Sequence, residues 1–203
     1  MHIGSLRHLA RLVYHGFLSL PHVASPDAFI RRYVALDGQG RRTLDLGSGK
    51  TPKNPFRAAE LVGTDVDFGI DESANILACD LGVERLPFPD MHFDYVTAFD
   101  LLEHIPRLIY IGEKRSYPFI ALMNEAHRVL KPGGLFLSDT PAYPRLSAFT
   151  DPTHVNIITD QTFRMYFCQP YTWAGRYGFE GRFELLAQAW SEDNLLSLLR
   201  RPS

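Results

Sequence analysis

Short apolar runs alternate with polar and helical segments through the middle of the chain. A run bounded by turn residues and rich in β-branched or aromatic side chains is typical of a buried strand. Strands are predicted at 43–46, 61–65, 75–78, 93–98 and 135–139, with a last one near 183–189. Strands that alternate with helical segments predict an α/β fold, in which a mostly parallel sheet is doubly wound by helices on both faces.

The two ends of the chain show helical patterns. Leu6, Leu9, Val13 and Phe17 lie at helical spacing, which predicts an amphipathic helix over residues 5–18. We expect this helix to pack on the core; the alternative is that it and residues 27–36 form a lid over the substrate. Residues 193–200 are interpreted as a closing helix, which leaves little room for a further strand pair. The predicted sheet is therefore truncated at its C-terminal edge.

Composition narrows the possible partners. Of the 203 residues, 45% are hydrophobic and 22% are charged, and the formal net charge is -2. Because the chain has no basic run and no apolar segment of transmembrane length, we expect neither a nucleic-acid partner nor membrane insertion. Two cysteines, Cys79 and Cys168, are too few for a metal or disulfide framework, so a reduced cytoplasmic compartment is expected.

The first predicted strand runs directly into a glycine turn. Gly47 and Gly49 let the backbone turn sharply and approach a ligand closely. Asp65 stands where the second strand should end, at a position suited to the two hydroxyls of a ribose. This arrangement predicts a nucleoside-binding turn.

Several interpretations of the turn compete. The dinucleotide fingerprint G-x-G-x-x-G requires a third glycine at the position of Pro52, and Pro52 also disfavours the helix that this fingerprint needs. Gly49-Lys50-Thr51 matches the end of a P-loop, but Leu44 stands where its first glycine belongs. The glycines could also form a tight turn without a ligand. A further pattern, Asp45-x-Gly47-x-Gly49, places an acidic residue two positions before the first glycine.

Asp45-x-Gly47-x-Gly49 resembles motif I of the class I S-adenosylmethionine-dependent methyltransferases, in particular the type 11-like family. Three later blocks resemble the same family in the same order, namely 75–81 with its terminal Asp80, the F-D-x-V strand followed by L-E-H at 93–105, and R-V-L-K-P-G-G at 128–134. The resemblance implies a Rossmann-like fold, S-adenosylmethionine as cofactor and S-adenosylhomocysteine as product. It also implies a single domain over 1–203, with a helical lid at 1–40, a cofactor-binding core at 41–140 and a substrate-side segment at 141–203.

The resemblance assigns cofactor-binding roles by position. Asp45 suits the cationic methionine end, Asp65 the ribose, and Asp80 the adenine amino group, while an apolar neighbour covers the ring. The implied cofactor-binding residues are Asp45, Gly47, Ser48, Gly49, Asp65, Val66, Cys79, Asp80, Leu81, Phe99 and Asp100.

A D-x-x-E-H cluster follows the fourth strand of the motif blocks. Asp100, Glu103 and His104 share one face of a helical turn and resemble the acidic-acidic-His arrangement of quinone-ring O-methyltransferases, where it can hold a divalent ion. A metal at these residues is possible, but none is expected. We expect Glu103 and His104 to orient the site through hydrogen bonds instead.

The segment 150–156 combines an acid, an imidazole and an amide. Its D-P-T-H-V pattern resembles a segment of methyltransferases from bacterial glycan and secondary-metabolite pathways. We hypothesise that His154 is the general base that takes a proton from an acceptor hydroxyl, oriented by Asp151 or Asp139. A structural role for His154 in its loop is the alternative.

The expected function is thus O-methylation of a small molecule or glycan, by a chain that could form a homodimer. Two alternatives remain open at this stage. One is a non-catalytic scaffold or regulatory subunit that binds the cofactor or its product. The other is a degenerate P-loop nucleotide hydrolase.

Overall fold

A computed structural model describes residues 20–36, 39–66 and 75–203. Its main element is a seven-stranded sheet with the order β3-β2-β1-β4-β7-β9-β8. The strands are β1 (Arg42–Leu46), β2 (Glu60–Asp65), β3 (Ile76–Ala78), β4 (Phe93–Phe99), β7 (Leu130–Pro141), β8 (Glu184–Ser191) and β9 (Asn194–Arg200). A separate small hairpin consists of β5 (Ile109–Ile111) and β6 (Lys114–Ser116).

The sheet is mostly parallel. β1 pairs in parallel with β2 and β4, β2 with β3, and β4 with β7, whereas β9 runs antiparallel to β7 and β8. The strand order therefore reverses between β1 and β4, and the carboxyl ends of the five parallel strands meet at one edge of the sheet. This topology confirms the predicted doubly wound α/β fold.

Four helices accompany the sheet in the described residues: α1 (Pro26–Tyr33), α2 (Pro118–Val129), α3 (Ser147–Thr150) and α4 (Asp160–Tyr166). Short 3-10 turns lie at Leu102–His104 and Trp173–Tyr177. None of the helices in 20–36, 39–66 and 75–203 has the length and apolar character needed to cross a bilayer. The helix predicted over residues 5–18 lies outside the described residues.

No helix connects β1 to β2. The connection is an irregular loop, in which prolines at 52 and 55 disfavour helical backbone. Phe56 of this loop covers the sheet instead, stacking on Tyr95 with ring centroids 4.2 Å apart and planes 7° apart. Phe29 and Ile30 of α1 join the same apolar cluster. One face of the sheet is thus covered by this loop and by α1 together.

The C-terminal end of the chain corrects two predictions. Residues 194–200 form β9 rather than a closing helix, and β9 pairs with both β7 and β8. The sheet is therefore not truncated. Leu195, Leu196, Leu198 and Leu199 are all fully buried, because neighbouring elements cover both faces of the strand. A strand buried on both faces carries a continuous apolar run, which periodicity alone does not distinguish from a helix.

Candidate active site

The parallel strands end side by side at one edge of the sheet. Leu46 of β1 lies beside Thr64 of β2 and Ala98 of β4, and Phe99 is level with Asp139 of β7. The edge outside the carboxyl ends of parallel strands, at the point where the strand order reverses, is where α/β sheets bind ligands. The glycine turn after β1 lies at this point.

The glycine turn has the backbone conformation that its residues suggested. Gly47 and Gly49 have φ of 63° and 54°. A Cβ on Gly47 would lie 2.7 Å from Cδ1 of Leu101, whereas a Cβ on Gly49 would meet no atom within 4 Å. The amide of Gly49 donates to Oδ2 of Asp65 (2.9 Å), and the amide of Ser48 donates to the carbonyl oxygen of Thr64 (3.0 Å). The structure thus brings Gly49 and Asp65 together, with open space beside Gly49.

Asp45 lies beneath the turn. It is 1% exposed, and its carboxylate accepts from the hydroxyl of Thr97 (2.7 Å) and from the amide of Lys53 (2.7 Å). Burial raises the pKa of Asp45 to about 6, against the opposing effect of these hydrogen bonds. The observed contacts of Asp45 hold the loop in place, and its predicted contact with the methionine end of a cofactor stays a prediction.

A depression of about 380 Å³ opens next to this loop and is lined by Pro26, Asp27, Lys53, Asn54, Pro55, Phe99 and Asp139. The ammonium of Lys53 lies 4.4 Å from the centre of the Phe99 ring. Lys53 was not predicted as a site residue, since a lysine in a proline-rich loop gives no specific signal. Only the missing helix after Gly49 indicated that this loop could reach the ligand edge.

Asp139 is a buried acidic side chain in the lining of this depression. It is 7% exposed, and its Oδ1 has no hydrogen-bond partner among the described residues. Burial raises the pKa of Asp139 to about 6, and the nearby charge of Asp100 acts in the same direction. A carboxylate of this kind is basic enough to take a proton near neutral pH.

The residues predicted to hold adenine lie beyond β3. Cys79 and Leu81 are buried, and burial raises the pKa of the Cys79 thiol to about 11, which keeps it neutral and apolar. Asp80 and Val66 are exposed, and Oδ1 of Asp80 accepts from the amide of Gly82 (2.9 Å). The neighbouring residues 67–74 are not described. The adenine roles therefore remain predictions.

The D-x-x-E-H residues do not act as one cluster. Asp100 has a φ of 47°, and its Oδ1 accepts from the side-chain amide of Asn194 (2.8 Å). Glu103 is buried, and burial raises its pKa; its Oε2 accepts from the hydroxyl of Thr140 (2.6 Å). Within the described residues, the potential metal ligands that lie together are Glu103, His104 and His154, with one ligand atom of each within 4.8 Å of the others.

His154 reaches this position because its loop is bound to the L-E-H turn. The amides of Val155 and Asn156 both donate to the carbonyl oxygen of Glu103, at 2.9 Å each. The rings of His154 and His104 lie 4.9 Å apart, and Nε2 of His154 is 4.0 Å from the Asp151 carboxylate. His154 and Asp151 line a separate depression of about 620 Å³, to which Asp139 does not contribute. The structure thus places Asp151 near His154 but Asp139 in another depression.

The middle of the chain is similar to a known protein family. A family model described as a methyltransferase domain matches residues 44–138. This part of the chain is therefore similar to a methyltransferase domain. The chain is 32% identical over 128 residues to a demethylmenaquinone methyltransferase of Geobacillus kaustophilus, a match that covers 55% of this chain and 50% of that protein. The chain thus spans about half the length of this curated relative.

Solved structures show the same fold as this chain. A SAM dependent methyltransferase from Archaeoglobus fulgidus has a TM-score of 0.55 at 15% identity and covers 86% of this chain and 92% of its own. A SAM dependent methyltransferase from Aquifex aeolicus has a TM-score of 0.56 at 13% identity, with 100% of both chains covered. These likenesses support the class I architecture of the sheet.

Proposed function

We propose that the chain binds S-adenosylmethionine at the carboxyl edge of its sheet and transfers the methyl group to a hydroxyl of a small molecule or glycan. The observation that carries the proposal is the glycine turn after β1, which is open beside Gly49 and fixed to Asp65 at the end of β2. The name of the family model and those of the relatives support the same reaction class.

The nucleoside half of the cofactor would lie along the ends of β1, β2 and β3. The backbone at Gly49 would allow close approach, and Asp65 would accept from a ribose hydroxyl. Asp80 would accept from the adenine amino group, with the apolar side chains of Cys79 and Leu81 against the ring.

We assign the carboxylate of the cofactor's methionine to Lys53. In this chain no helix follows Gly49, so no helix N-terminus is available there to attract an anion. The ammonium of Lys53 lies over Phe99 at the depression instead, and among the described residues it forms no salt bridge. Its amide already holds Asp45, which fixes the start of the side chain relative to the turn.

Methyl transfer requires an acceptor oxygen aligned with the carbon–sulfur bond, and a group that takes the hydroxyl proton. The oxygen–methyl bond would form as the sulfur–methyl bond breaks. The hydroxyl proton would pass to a basic side chain of the protein, and S-adenosylhomocysteine would leave. Asp139 fits this base best, because it lines the same depression as Lys53 and Phe99 and has a pKa raised to about 6.

His154 is the second candidate for the base, supported by the nearby Asp151 carboxylate. A ring carbon is the second candidate for the methyl acceptor, supported by the name of the demethylmenaquinone methyltransferase relative. Loss of a proton from a ring hydroxyl also makes the adjacent ring carbons nucleophilic, so both acceptors need a base. Nuclear magnetic resonance of the methylated product separates an oxygen-bound methyl group from a carbon-bound one.

The first test is calorimetric titration of the protein with S-adenosylmethionine, S-adenosylhomocysteine, 5′-methylthioadenosine and ATP. We expect saturable binding of the first two, weakened by Asp65→Ala. Lys53→Met should weaken the binding of S-adenosylhomocysteine by about tenfold, which corresponds to about 1.4 kcal/mol. The same substitution should leave 5′-methylthioadenosine unchanged, because this nucleoside lacks the methionine carboxylate.

Lys114→Met in the β5–β6 hairpin is the matched control and should bind every ligand as the wild type does. Equal losses for both nucleosides in Lys53→Met would contradict the assigned contact. Binding of ATP alone would overturn the proposed function and favour a nucleotide hydrolase. Cofactor binding without turnover on any hydroxylated acceptor would favour the scaffold alternative.

A further inference from the structure

Two separate segments of the chain place three potential ligands side by side. Glu103 and His104 belong to the 3-10 turn after β4, and His154 belongs to the loop before α4. One ligand atom of each lies within 4.8 Å of the others. The pair of backbone hydrogen bonds to the carbonyl oxygen of Glu103 and the bond from the Asn156 side chain to Leu102 (2.9 Å) lock the two segments together. The arrangement is thus built by the backbone.

Hydrogen bonds also fix the proton on His104. The hydroxyl of Thr153 donates to Oδ1 of Asp151 (2.6 Å), so toward Nδ1 of His104, 3.1 Å away, the Thr153 oxygen acts as the acceptor. Nδ1 of His104 therefore carries the proton and Nε2 carries the lone pair. In metal sites a ligand imidazole is oriented in the same way, through a hydrogen bond from its other nitrogen.

The other two residues carry buried polar atoms that lack a partner. Oε1 of Glu103 and Nδ1 of His154 are both without a hydrogen bond among the described residues, although Glu103 is 1% exposed and the His154 side chain 9%. A buried polar atom without a partner costs about 1 to 3 kcal/mol, so its presence calls for an explanation such as an ion. Here two such atoms occur within one group of ligands.

We propose that Glu103, His104 and His154 bind a divalent transition-metal ion. Two imidazoles and one carboxylate form a donor set that suits Zn²⁺ or Mn²⁺ better than Mg²⁺ or Ca²⁺, which prefer oxygen ligands throughout. Ligands about 2.0 to 2.2 Å from one ion in a tetrahedral site lie about 3.3 to 3.6 Å from each other. The observed spread of 4.8 Å thus closes when two side chains each shift by less than an ångström.

This ligand set differs from the one that the D-x-x-E-H pattern suggested. Asp100 is engaged by Asn194, whereas His154 comes from a different segment of the chain. The ion would be reached from the depression that His154 lines with Thr150 and Asp151. The site does not depend on the proposed methyl transfer, and it is compatible with Asp139 as the base.

The test is metal binding by tag-free protein that has been stripped with a chelator. Calorimetry with ZnCl₂, MnCl₂ and MgCl₂ should show that one Zn²⁺ or Mn²⁺ binds per chain and that Mg²⁺ binds at least tenfold more weakly. Glu103→Gln and His154→Gln should each weaken Zn²⁺ binding by tenfold or more. The controls Asp100→Asn and the remote His92→Gln should bind Zn²⁺ as the wild type does. Substitution with Co²⁺ gives a visible absorption band that reports the ligands directly.

The outcomes are separable from those of the methyltransferase test, because no cofactor or acceptor is present. Absence of stoichiometric Zn²⁺ and Mn²⁺ binding would overturn the proposal, as would equal binding by His154→Gln and His92→Gln. Loss of binding in Asp100→Asn with retention in His154→Gln would assign the ion to the other ligand set. If Glu103→Gln does not fold, the loop variant His154→Gln decides alone, with its thermal unfolding checked beside that of the wild type.

Discussion

At the scale of single residues, Asp139 combines an energetic cost of burial with a basicity that the proposed reaction can use. Its carboxylate is buried, one oxygen has no partner among the described residues, and burial raises its pKa from 3.8 to about 6. The folded protein therefore binds this proton more tightly than the unfolded chain does. The stability associated with the neutral form is present below about pH 4 and is lost as the pH rises through 6. Such a cost is typical of a functional position.

We expect Asp139→Asn to make the protein more stable at pH 8 by as much as about 2 to 3 kcal/mol, since two pKa units correspond to about 2.7 kcal/mol. Near pH 4 the difference should vanish, because the wild-type side chain is then neutral as well. Denaturant unfolding at both pH values measures this. A difference that does not change with pH would contradict the raised pKa.

The same variant tests the proposed base. Wild-type kcat/KM should fall as the pH drops below about 6, and Asp139→Asn should lose a factor of about 10² to 10⁴ in turnover. The affinity for S-adenosylhomocysteine should be retained. His154→Gln serves as the comparison, because a larger loss in that variant would return the role to the imidazole.

At the scale of elements, sequence-based prediction was accurate where particular residues mark the ends of a strand. The predicted bounds of β1, β2 and β4 agree with the structure to within one residue, because glycines, prolines and acidic residues mark their ends. Such marks do not decide between helix and strand for the segment 194–200, because its leucines fit helical spacing as well as a strand buried on both faces. The contact between His154 and the L-E-H turn was equally invisible, since it depends on backbone hydrogen bonds between distant segments.

Strand β2 packs against the glycine turn and the loop that follows it, at Gly63. A Cβ on Gly63 would lie 2.4 Å from Oγ of Ser48 and 2.8 Å from Cγ of Pro52. Gly63→Ala should therefore displace the loop between β1 and β2, cost about 1 to 3 kcal/mol in stability and weaken cofactor binding by about tenfold. Gly175→Ala, whose Cβ would meet no atom within 4 Å, is the matched control. Unchanged cofactor affinity in Gly63→Ala would show that the loop adapts.

At the scale of the whole molecule, the two edges of the sheet have different tasks. Sequence motifs predicted that ligand-binding side chains gather at the carboxyl edge, since parallel topology brings the ends of β1, β2, β4 and β7 together. Nothing in the sequence indicated how the opposite edge is closed. There the end of the chain is bound to β7: the amide of Gly133 donates to the carbonyl of Arg201, and the amide of Arg201 donates to the carbonyl of Gly134, both at 2.9 Å.

Arg201 also closes the C-terminal end of α2, far in sequence from the predicted site. Its Nη1 donates to the carbonyl oxygen of His127 (2.8 Å), which the helix itself leaves without a partner, and to that of Leu130 (2.6 Å) at the start of β7. Arg201→Ala should lower stability by about 1.5 to 3 kcal/mol, the worth of hydrogen bonds to a charged group. For a chain of this size each kcal/mol lowers Tm by about 2 to 4 °C.

The neighbouring Arg200→Ala is the matched control. Arg200 forms an exposed ion pair with Glu184, and pairs of this kind contribute at most about 1 kcal/mol. Its Tm should therefore stay close to that of the wild type, while the affinity of both variants for S-adenosylhomocysteine should be unchanged because the ligand edge is intact. Equal Tm values for the two variants would show that the end of α2 does not need this arginine. A loss of cofactor affinity in Arg201→Ala would instead show that the two edges of the sheet are energetically coupled.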